Sequence, residues 1–103
     1  MFWVVCYDIP DNRRRHKVMK IMEGAGRRVQ YSVFECEIDE ARLVRLQRVL
    51  MRVIDVEEDN IRFYPLNEGD IKKIITLGCA TLERIQAHSV ELISKIAAQA
   101  KMR

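Results

Sequence analysis

An unbroken apolar run near the beginning of the chain constrains its fold more than any other feature. Residues 2–7 are rich in aromatic and β-branched side chains and lack the polar alternation of a half-exposed strand. Such a run is typical of a strand that is covered on both of its faces. The 103 residues are enough for one domain, although a domain of this size buries only a modest share of its surface. We therefore expect one domain that gains stability from association.

The residues after this strand predict alternating helices and strands. Asp11 or Asn12 can cap a helix that Gly24 and Gly26 would end, and Asp39 can cap a second helix. Apolar residues recur at helical spacing in both segments. The other predicted elements are strands over residues 29–37, 61–65 and 71–77 and a terminal helix over 81–101.

This order of elements, β-α-β and then α-β-β, is closest to a ferredoxin-like split β-α-β sandwich of the α+β class. The match requires that one strand is supplied or swapped at an edge of the sheet. Helices cover one sheet face in this fold, and bulky residues on both sides of the strand at 29–37 indicate that a second copy covers the other. We thus expect a homodimer with its sheets packed face to face, a core domain at 1–78 and a C-terminal helical extension at 79–103.

The cationic residues are clustered, and this indicates a polyanionic partner more clearly than the net charge of +3. The arginines of the second helix can follow a duplex backbone, or they can pair with Glu40 and Glu57; the sequence leaves both open. No glycine-rich phosphate loop or Ser-His-Asp arrangement supports kinase or acyl-transfer chemistry. The clusters are Arg13 to Arg15 with Lys17, Arg27 with Arg28, and Arg42, Arg45, Arg48 and Arg52.

Nothing in the sequence predicts a membrane or secreted location. The apolar run at 1–9 is too short to span a bilayer and has no cationic residues ahead of it, so we expect a cytoplasmic protein. Cys6, Cys36 and Cys79 form no close pair, and we expect reduced thiols without a disulfide or zinc site. His16 and His88 receive no role, because they are not at metal-ligand spacing.

Asp8 follows the apolar strand and is the candidate catalytic and metal-binding residue. A single carboxylate is a poor site for Mg²⁺, which prefers octahedral oxygen ligation. If a two-fold axis passes near the strand end, Asp8 from each protomer can share one ion, which removes the repulsion between the two charges. Magnesium, or manganese in its place, could then promote phosphodiester hydrolysis. Alternatively, Asp8 only starts the turn at Ile9-Pro10 by bonding its own backbone.

Four segments of the chain are similar, in order and spacing, to the small ferredoxin-like subunit of the CRISPR adaptation machinery, which takes part in spacer acquisition. The resemblance covers residues 1–78. The matching residues are Tyr7-Asp8-Ile9, Arg15-x-Lys17-Val18-x-Lys20-Ile21, Gly26-x-Arg28-Val29-Gln30-Tyr31-Ser32-Val33-Phe34-Glu35 and Arg62-Phe63-Tyr64-Pro65-Leu66.

The resemblance implies a partner and two alternative roles. The last core strand would reach the neighbouring protomer of a homodimer, and the dimer would bind a larger integrase subunit and a DNA duplex or single-stranded RNA. It would act either as a metal-dependent endonuclease or as a non-catalytic scaffold that holds DNA for the integrase. The extension at 79–103 would pack on its own dimer or contact the integrase.

Several residues near Asp8 are candidates for nucleic-acid binding. Arg15, Lys17 and Arg28 match basic positions of the family, and Arg14 extends the run. Cations at the start of a helix oppose its dipole, so we interpret them as phosphate ligands. Tyr7 and Phe34 could stack on bases or belong to the core, as strand aromatics more often do.

Overall fold

The computed structural model describes residues 1–78, which form a four-stranded antiparallel sheet with helices. The α+β class and the ferredoxin-like architecture are those that the sequence predicts, but the strands and helices follow in the order β-α-β-β-α-β rather than β-α-β and then α-β-β. The predicted helix at 81–101 and the extension at 79–103 lie outside the described residues. The elements are β1 (Phe2–Asp8), α1 (Asn12–Glu23), β2 (Arg27–Gln30), β3 (Val33–Glu37), α2 (Glu40–Met51), β4 (Asn60–Leu66) and α3 (Glu68–Lys72).

The apolar run occupies the middle of the sheet. The strand order is β2-β3-β1-β4, so β1 has an antiparallel neighbour on each side. Val5 of β1 lies opposite Phe34 of β3 and Phe63 of β4. Val5 and Tyr7 are buried on one face of the sheet, whereas Val4 and Cys6, on the other face, are only partly buried. Within residues 1–78 the predicted cover is therefore complete on one face only.

The prediction of a single strand at 29–37 is wrong. A turn at Tyr31 and Ser32 divides this segment into β2 and β3, which pair antiparallel with an irregularity between Arg28 and Gln30. The turn contains no glycine, proline or asparagine, the residues that usually mark such turns in a sequence. This hairpin supplies the strand that the predicted fold lacked.

Gly26 allows β2 to begin close against β3. A Cβ atom at this position would lie 2.5 Å from Cys36 Sγ, and it would also collide with the carbonyl oxygen of Glu35. Real Cβ atoms do not approach other atoms so closely, so the absence of a side chain at Gly26 is a packing requirement as well as a stop signal for α1.

The predicted helix caps are confirmed. The Asp11 carboxylate accepts a hydrogen bond of 2.9 Å from the Arg14 backbone N–H, and Asp39 accepts one of 2.8 Å from the Arg42 N–H. These bonds satisfy donors that the first turn of a helix leaves unpaired. Asp11, rather than Asn12, is the cap of α1.

The prediction of a strand at 71–77 is wrong, because this segment begins inside the helix α3 and forms no strand. Asn67 caps α3, and its side chain and that of Asp70 bond each other's backbone N–H groups in a capping box, which favours a helix. Residues 74–77 then continue without secondary structure, with Ile75 82% and Leu77 80% exposed. These apolar side chains have no cover within residues 1–78.

Both long helices pack on one face of the sheet. Leu46 and Leu50 of α2 and Met22 of α1 are buried against Val5 and Phe34. Because successive strand residues point to opposite faces, Val4, Cys6 and Asp8 point away from this core. We call the face that bears these three side chains the open face, since no element within residues 1–78 covers it.

The two described cysteines are free thiols. Cys6 is partly exposed, whereas Cys36 is buried, and its burial raises the pKa of the Cys36 thiol to about 11. Cys79 lies outside the described residues. No helix within residues 1–78 is long and apolar enough to cross a membrane.

Candidate metal and nucleic-acid site

Asp8 is the last residue of the central strand, and its side chain is exposed. It lies opposite Asn60 of β4, on the open face. Within residues 1–78 its carboxylate forms neither a hydrogen bond nor an ion pair, whereas the nearby Asp11 caps α1 by accepting the Arg14 N–H. The bond to its own backbone by which Asp8 would start the turn is therefore not observed, and the Asp8 oxygens are available.

One protomer does not provide a complete metal site in the part of the chain that is described. Residues 1–78 contain no group of three or more histidine, cysteine or acidic side chains that could hold an ion. The exposed oxygens of Asp8 are hard donors that fit Mg²⁺, which is commonly held by one or two carboxylates together with waters and substrate phosphates. The remaining protein ligand would have to come from a second copy.

Arg15 holds the loop that follows Asp8. Its guanidinium donates hydrogen bonds to the carbonyl oxygens of Ile9, at 2.9 Å, and Pro10, at 3.4 Å, and it also contacts the Asn12 side chain. Arg15 remains exposed, so its charge stays accessible to an anion beside the end of β1.

The structure corrects the phosphate-binding role predicted for Arg14. The Arg14 guanidinium donates hydrogen bonds of 2.7 and 3.1 Å to the two carboxylate oxygens of Asp59 and one of 2.9 Å to Glu58. These bonds raise the pKa of Arg14 and hold the pKa of Asp59 below its usual value. Two acids occupy the guanidinium, and Arg14 thus joins α1 to the turn that precedes β4.

The ion pair between Arg14 and Asp59 should make the stability of the protein depend on pH. The Asp59 side chain is fully buried and also accepts the Asp55 backbone N–H. Because its pKa is lowered in the folded state, its contribution is complete above the unfolded pKa of about 3.9 and is lost as the pH falls through the folded pKa. We expect Asp59→Asn to lower the melting temperature by several degrees at pH 7 and by progressively less below about pH 4.

Melting curves of both proteins between pH 7 and pH 3 would measure this difference. Glu57→Gln is the matched control, because it removes an exposed carboxylate of the same turn and should leave no pH-dependent gap. A gap for Asp59→Asn that stays constant down to pH 3 would contradict the prediction.

Tyr7 and Phe34 belong to the core, and the prediction that they stack on bases is corrected. Phe34 is fully buried and Tyr7 is 6% exposed. Their rings pack against each other with centroids 6.3 Å apart. Burial raises the pKa of the Tyr7 phenol, which donates a hydrogen bond of 3.2 Å to the Tyr31 carbonyl. Neither ring has a free face for a base.

Tyr31 is an exposed aromatic residue that sequence reasoning missed. It lies at the hairpin turn, 73% exposed, and the Arg28 guanidinium carbon lies 5.3 Å from the centroid of its ring. Arg28 also donates hydrogen bonds of 3.1 and 2.9 Å to the Tyr31 carbonyl. Recognition of the turn at residues 31 and 32 would have revealed this exposure.

A cavity of about 390 Å³ lies between α1 and the hairpin turn. It brings together Arg15 and Arg28, two of the predicted phosphate ligands, whereas Lys17 is exposed elsewhere on α1. His16, for which no role was predicted, lines the same cavity. Its wall further includes Tyr7, Asn12 and Tyr31.

The arginines of α2 are exposed to solvent. Arg42, Arg45, Arg48 and Arg52 form no ion pair with Glu40 or Glu57 in the described part of the chain. Of the two alternatives that the sequence left open, pairing with these acids is therefore not observed. The helix presents several uncompensated positive charges.

The sequence matches a family of known proteins. The family model described as CRISPR associated protein Cas2 matches residues 1–74. A relative from Synechocystis sp. (strain ATCC 27184 / PCC 6803 / Kazusa), named CRISPR-associated endoribonuclease Cas2 3, is 51% identical over 72 residues, which cover 70% of this chain and 78% of that protein.

Solved structures confirm the fold. The crystal structure of Streptococcus pyogenes Cas2 at pH 6.5 matches with a TM-score of 0.70 and 36% identity. The match covers 76% of this chain and 100% of the Streptococcus pyogenes chain. A chain of the partial Cas6-RT-Cas1--Cas2 complex matches with a TM-score of 0.69 and 31% identity, covering 82% of this chain and 98% of that one.

Proposed function

The chain belongs to the CRISPR-associated Cas2 family, and on that basis we propose that it is a dimeric, nucleic-acid-binding endonuclease of CRISPR adaptation. It hydrolyses phosphodiester bonds in single-stranded RNA or duplex DNA with Mg²⁺, for which Mn²⁺ can substitute. Its protein partner is a larger integrase subunit. The endoribonuclease name of the Synechocystis relative and the Cas1–Cas2 complex among the similar structures support these assignments.

The observation that carries the proposal is the position of Asp8. An exposed carboxylate without a partner in the described chain ends the central strand on the open face. A second copy packed on that face, with its two-fold axis near the end of β1, brings a second Asp8 to the same place. Two carboxylates would repel each other unless they shared a cation. The dimer, rather than the protomer, is then the catalytic unit.

Two apolar surfaces that nothing within residues 1–78 covers support the dimer. The open face presents Val4 and the partly exposed Cys6, and the segment at 74–77 exposes Ile75 and Leu77. β4 is an edge strand of the sheet, and edge strands offer unpaired backbone groups to another chain. Face-to-face packing of two sheets, with residues 74–77 of each copy along β4 of the other, covers both surfaces.

The chain's own residues would bind and orient the substrate. Mg²⁺, when bound between the Asp8 carboxylates, supplies polarisation of a phosphoryl oxygen and a more acidic bound water. Arg15 and Arg28 hold phosphate oxygens beside the end of β1, and Lys17 adds positive charge along α1. The hydrogen bonds from Arg15 to the loop keep Asp8 oriented while the substrate is held.

The exposed arginines of α2 favour a second candidate function, that of a non-catalytic scaffold. Arg45, Arg48 and Arg52 lie on the side of α2 away from its buried leucines. Such a row of cations can follow the phosphates of a duplex without reading its sequence. In this role the dimer would hold DNA for the integrase, and Asp8 would be dispensable.

A cleavage assay with the purified full chain tests the first function against the second. We expect Mg²⁺-dependent products from a short single-stranded RNA or a short DNA duplex, and no products when a chelator is present, because the activity depends on the bound ion. Gel electrophoresis of end-labelled substrates is the measurement. Binding that weakens with added salt, without cleavage of either substrate, would contradict the nuclease and leave the scaffold.

A further inference from the structure

We propose that Tyr31 and the cavity beside it form a subsite for one unpaired nucleotide, whose base stacks on the exposed ring of Tyr31. The inference rests on the proposed function, because it concerns the nucleic acid that the dimer binds. It goes further by stating that the strand must be unpaired where it meets the protein. Single-stranded RNA, or a frayed duplex end, is then the preferred substrate class.

The Tyr31 residue is held at its backbone and at one face of its ring. Its backbone carbonyl accepts three hydrogen bonds, two from Arg28 and one from the Tyr7 hydroxyl. The Arg28 guanidinium lies over the ring, while most of the Tyr31 side chain remains exposed. Ordering of the backbone before binding lowers the entropy that a stacking ligand has to remove.

The adjacent cavity has the size and chemistry for a nucleotide. Its volume of about 390 Å³ lies within the range of small-molecule sites, about 300–1,000 Å³. Asn12 and His16 can exchange hydrogen bonds with the edge of a base, and Arg15 and Arg28 can bind its phosphate. Stacking surface, base-edge partners and phosphate ligands therefore occur together.

A continuous duplex cannot use this subsite. In a duplex, neighbouring base pairs cover both faces of each base, and the opposite strand occupies its Watson–Crick edge. An unpaired base can offer one face to an aromatic ring and its edge to polar side chains. The geometry thus distinguishes unpaired from paired nucleic acid without requiring a particular base.

The subsite lies next to Asp8 along the central strand. The Tyr7 backbone N–H donates a hydrogen bond of 3.0 Å to the Ser32 carbonyl, so the hairpin turn contacts β1 at its end. Tyr7 faces the helices and Asp8, the next residue, faces the open side. A strand that places a base in the cavity can pass over the end of β1 and bring its next phosphate toward Asp8.

Fluorescence of 2-aminopurine tests the stacking directly. The probe is a short single-stranded RNA with one 2-aminopurine, and a blunt DNA duplex is the comparison. The full-length wild-type chain, Tyr31→Phe and Tyr31→Ala are titrated with both. Tyr31→Phe is the matched control because it keeps the ring, and melting curves verify that each variant folds.

We expect wild type and Tyr31→Phe to quench the probe, whereas Tyr31→Ala does not. Tyr31→Ala should bind the RNA about 5- to 150-fold more weakly, the ratio that corresponds to the loss of one base–aromatic stack. Its affinity for the blunt duplex should change less than about twofold. Loss of quenching and of affinity for the single-stranded RNA, with the affinity for the duplex unchanged, would support the subsite.

Two results would overturn the inference. Equal weakening for RNA and duplex would assign Tyr31 a general structural role, and unaltered quenching in a folded Tyr31→Ala would show that the base lies elsewhere. Since these readouts need binding and no cleavage, an inactive but RNA-binding protein still tests the subsite. A wild-type chain that binds neither ligand would instead overturn the proposed function and this inference with it.

Discussion

We expect Asp8→Asn to lower the rate constant of metal-dependent cleavage by at least about 100-fold. Substitutions of residues that only orient metal ligands cost about 10- to 100-fold, and Asp8 is proposed to contact the ion itself. Because the proposed site is formed by two copies of one residue, the single substitution removes both carboxylates. Asparagine keeps the size of the side chain and one oxygen but not the charge that binds Mg²⁺.

The measurement is the single-turnover cleavage rate at several Mg²⁺ concentrations. Glu40→Gln is the control, because it makes the same change in charge at an exposed carboxylate at the start of α2, distant in sequence from the end of β1. Binding of Asp8→Asn to nucleic acid should persist, since its arginines are unchanged. Equal cleavage rates for Asp8→Asn and wild type would place the activity elsewhere and favour the scaffold.

We expect Phe34→Ala to remove a large share of the free energy of unfolding. Phe34 is fully buried among residues of both helices and the sheet, and truncation of such a side chain costs about 3–5 kcal/mol. A described core of 78 residues corresponds to a total stability of roughly 4–12 kcal/mol at the usual value per residue. The substitution removes a large fraction of that total.

Urea unfolding followed by circular dichroism measures the loss, with Phe34→Leu as a control that keeps most of the buried volume. We expect the midpoint of Phe34→Leu to lie much closer to that of wild type. If Phe34→Ala unfolded like wild type but no longer bound RNA, Phe34 would be a base-stacking residue after all, and its placement in the core would be contradicted.

Local signals in the sequence were sufficient to predict much of the fold. Asp11 and Asp39 cap their helices through bonds to backbone groups three residues away, so their role depends on nearby residues alone. The apolar run at residues 2–7 correctly indicated a strand, which lies inside the sheet as β1. The hairpin was missed because Ser32 is only a weak turn signal without a neighbouring glycine, proline or asparagine, and because the residues on both sides of the turn are equally compatible with one long strand.

The candidate site could be predicted only where the position of a residue depends on its neighbours in the sequence. Asp8 follows the strand directly, and its exposure could be anticipated. Arg14 is engaged by Asp59, which is 45 residues away in the chain, and no local pattern indicates such a pair. The choice among aromatic residues failed for the same reason as the hairpin, since only the position of the turn decides that Tyr7 is buried while Tyr31 is exposed.

The open face has a further consequence for the dimer proposed above. If a second copy supplies the cover that each sheet lacks, the free energy of unfolding includes the free energy of association. Each tenfold increase in protein concentration then adds about 1.4 kcal/mol of stability per dimer. At a low concentration in the cell the dimer would dissociate. The apolar open face and the segment at 74–77 would then be exposed to proteases and to aggregation.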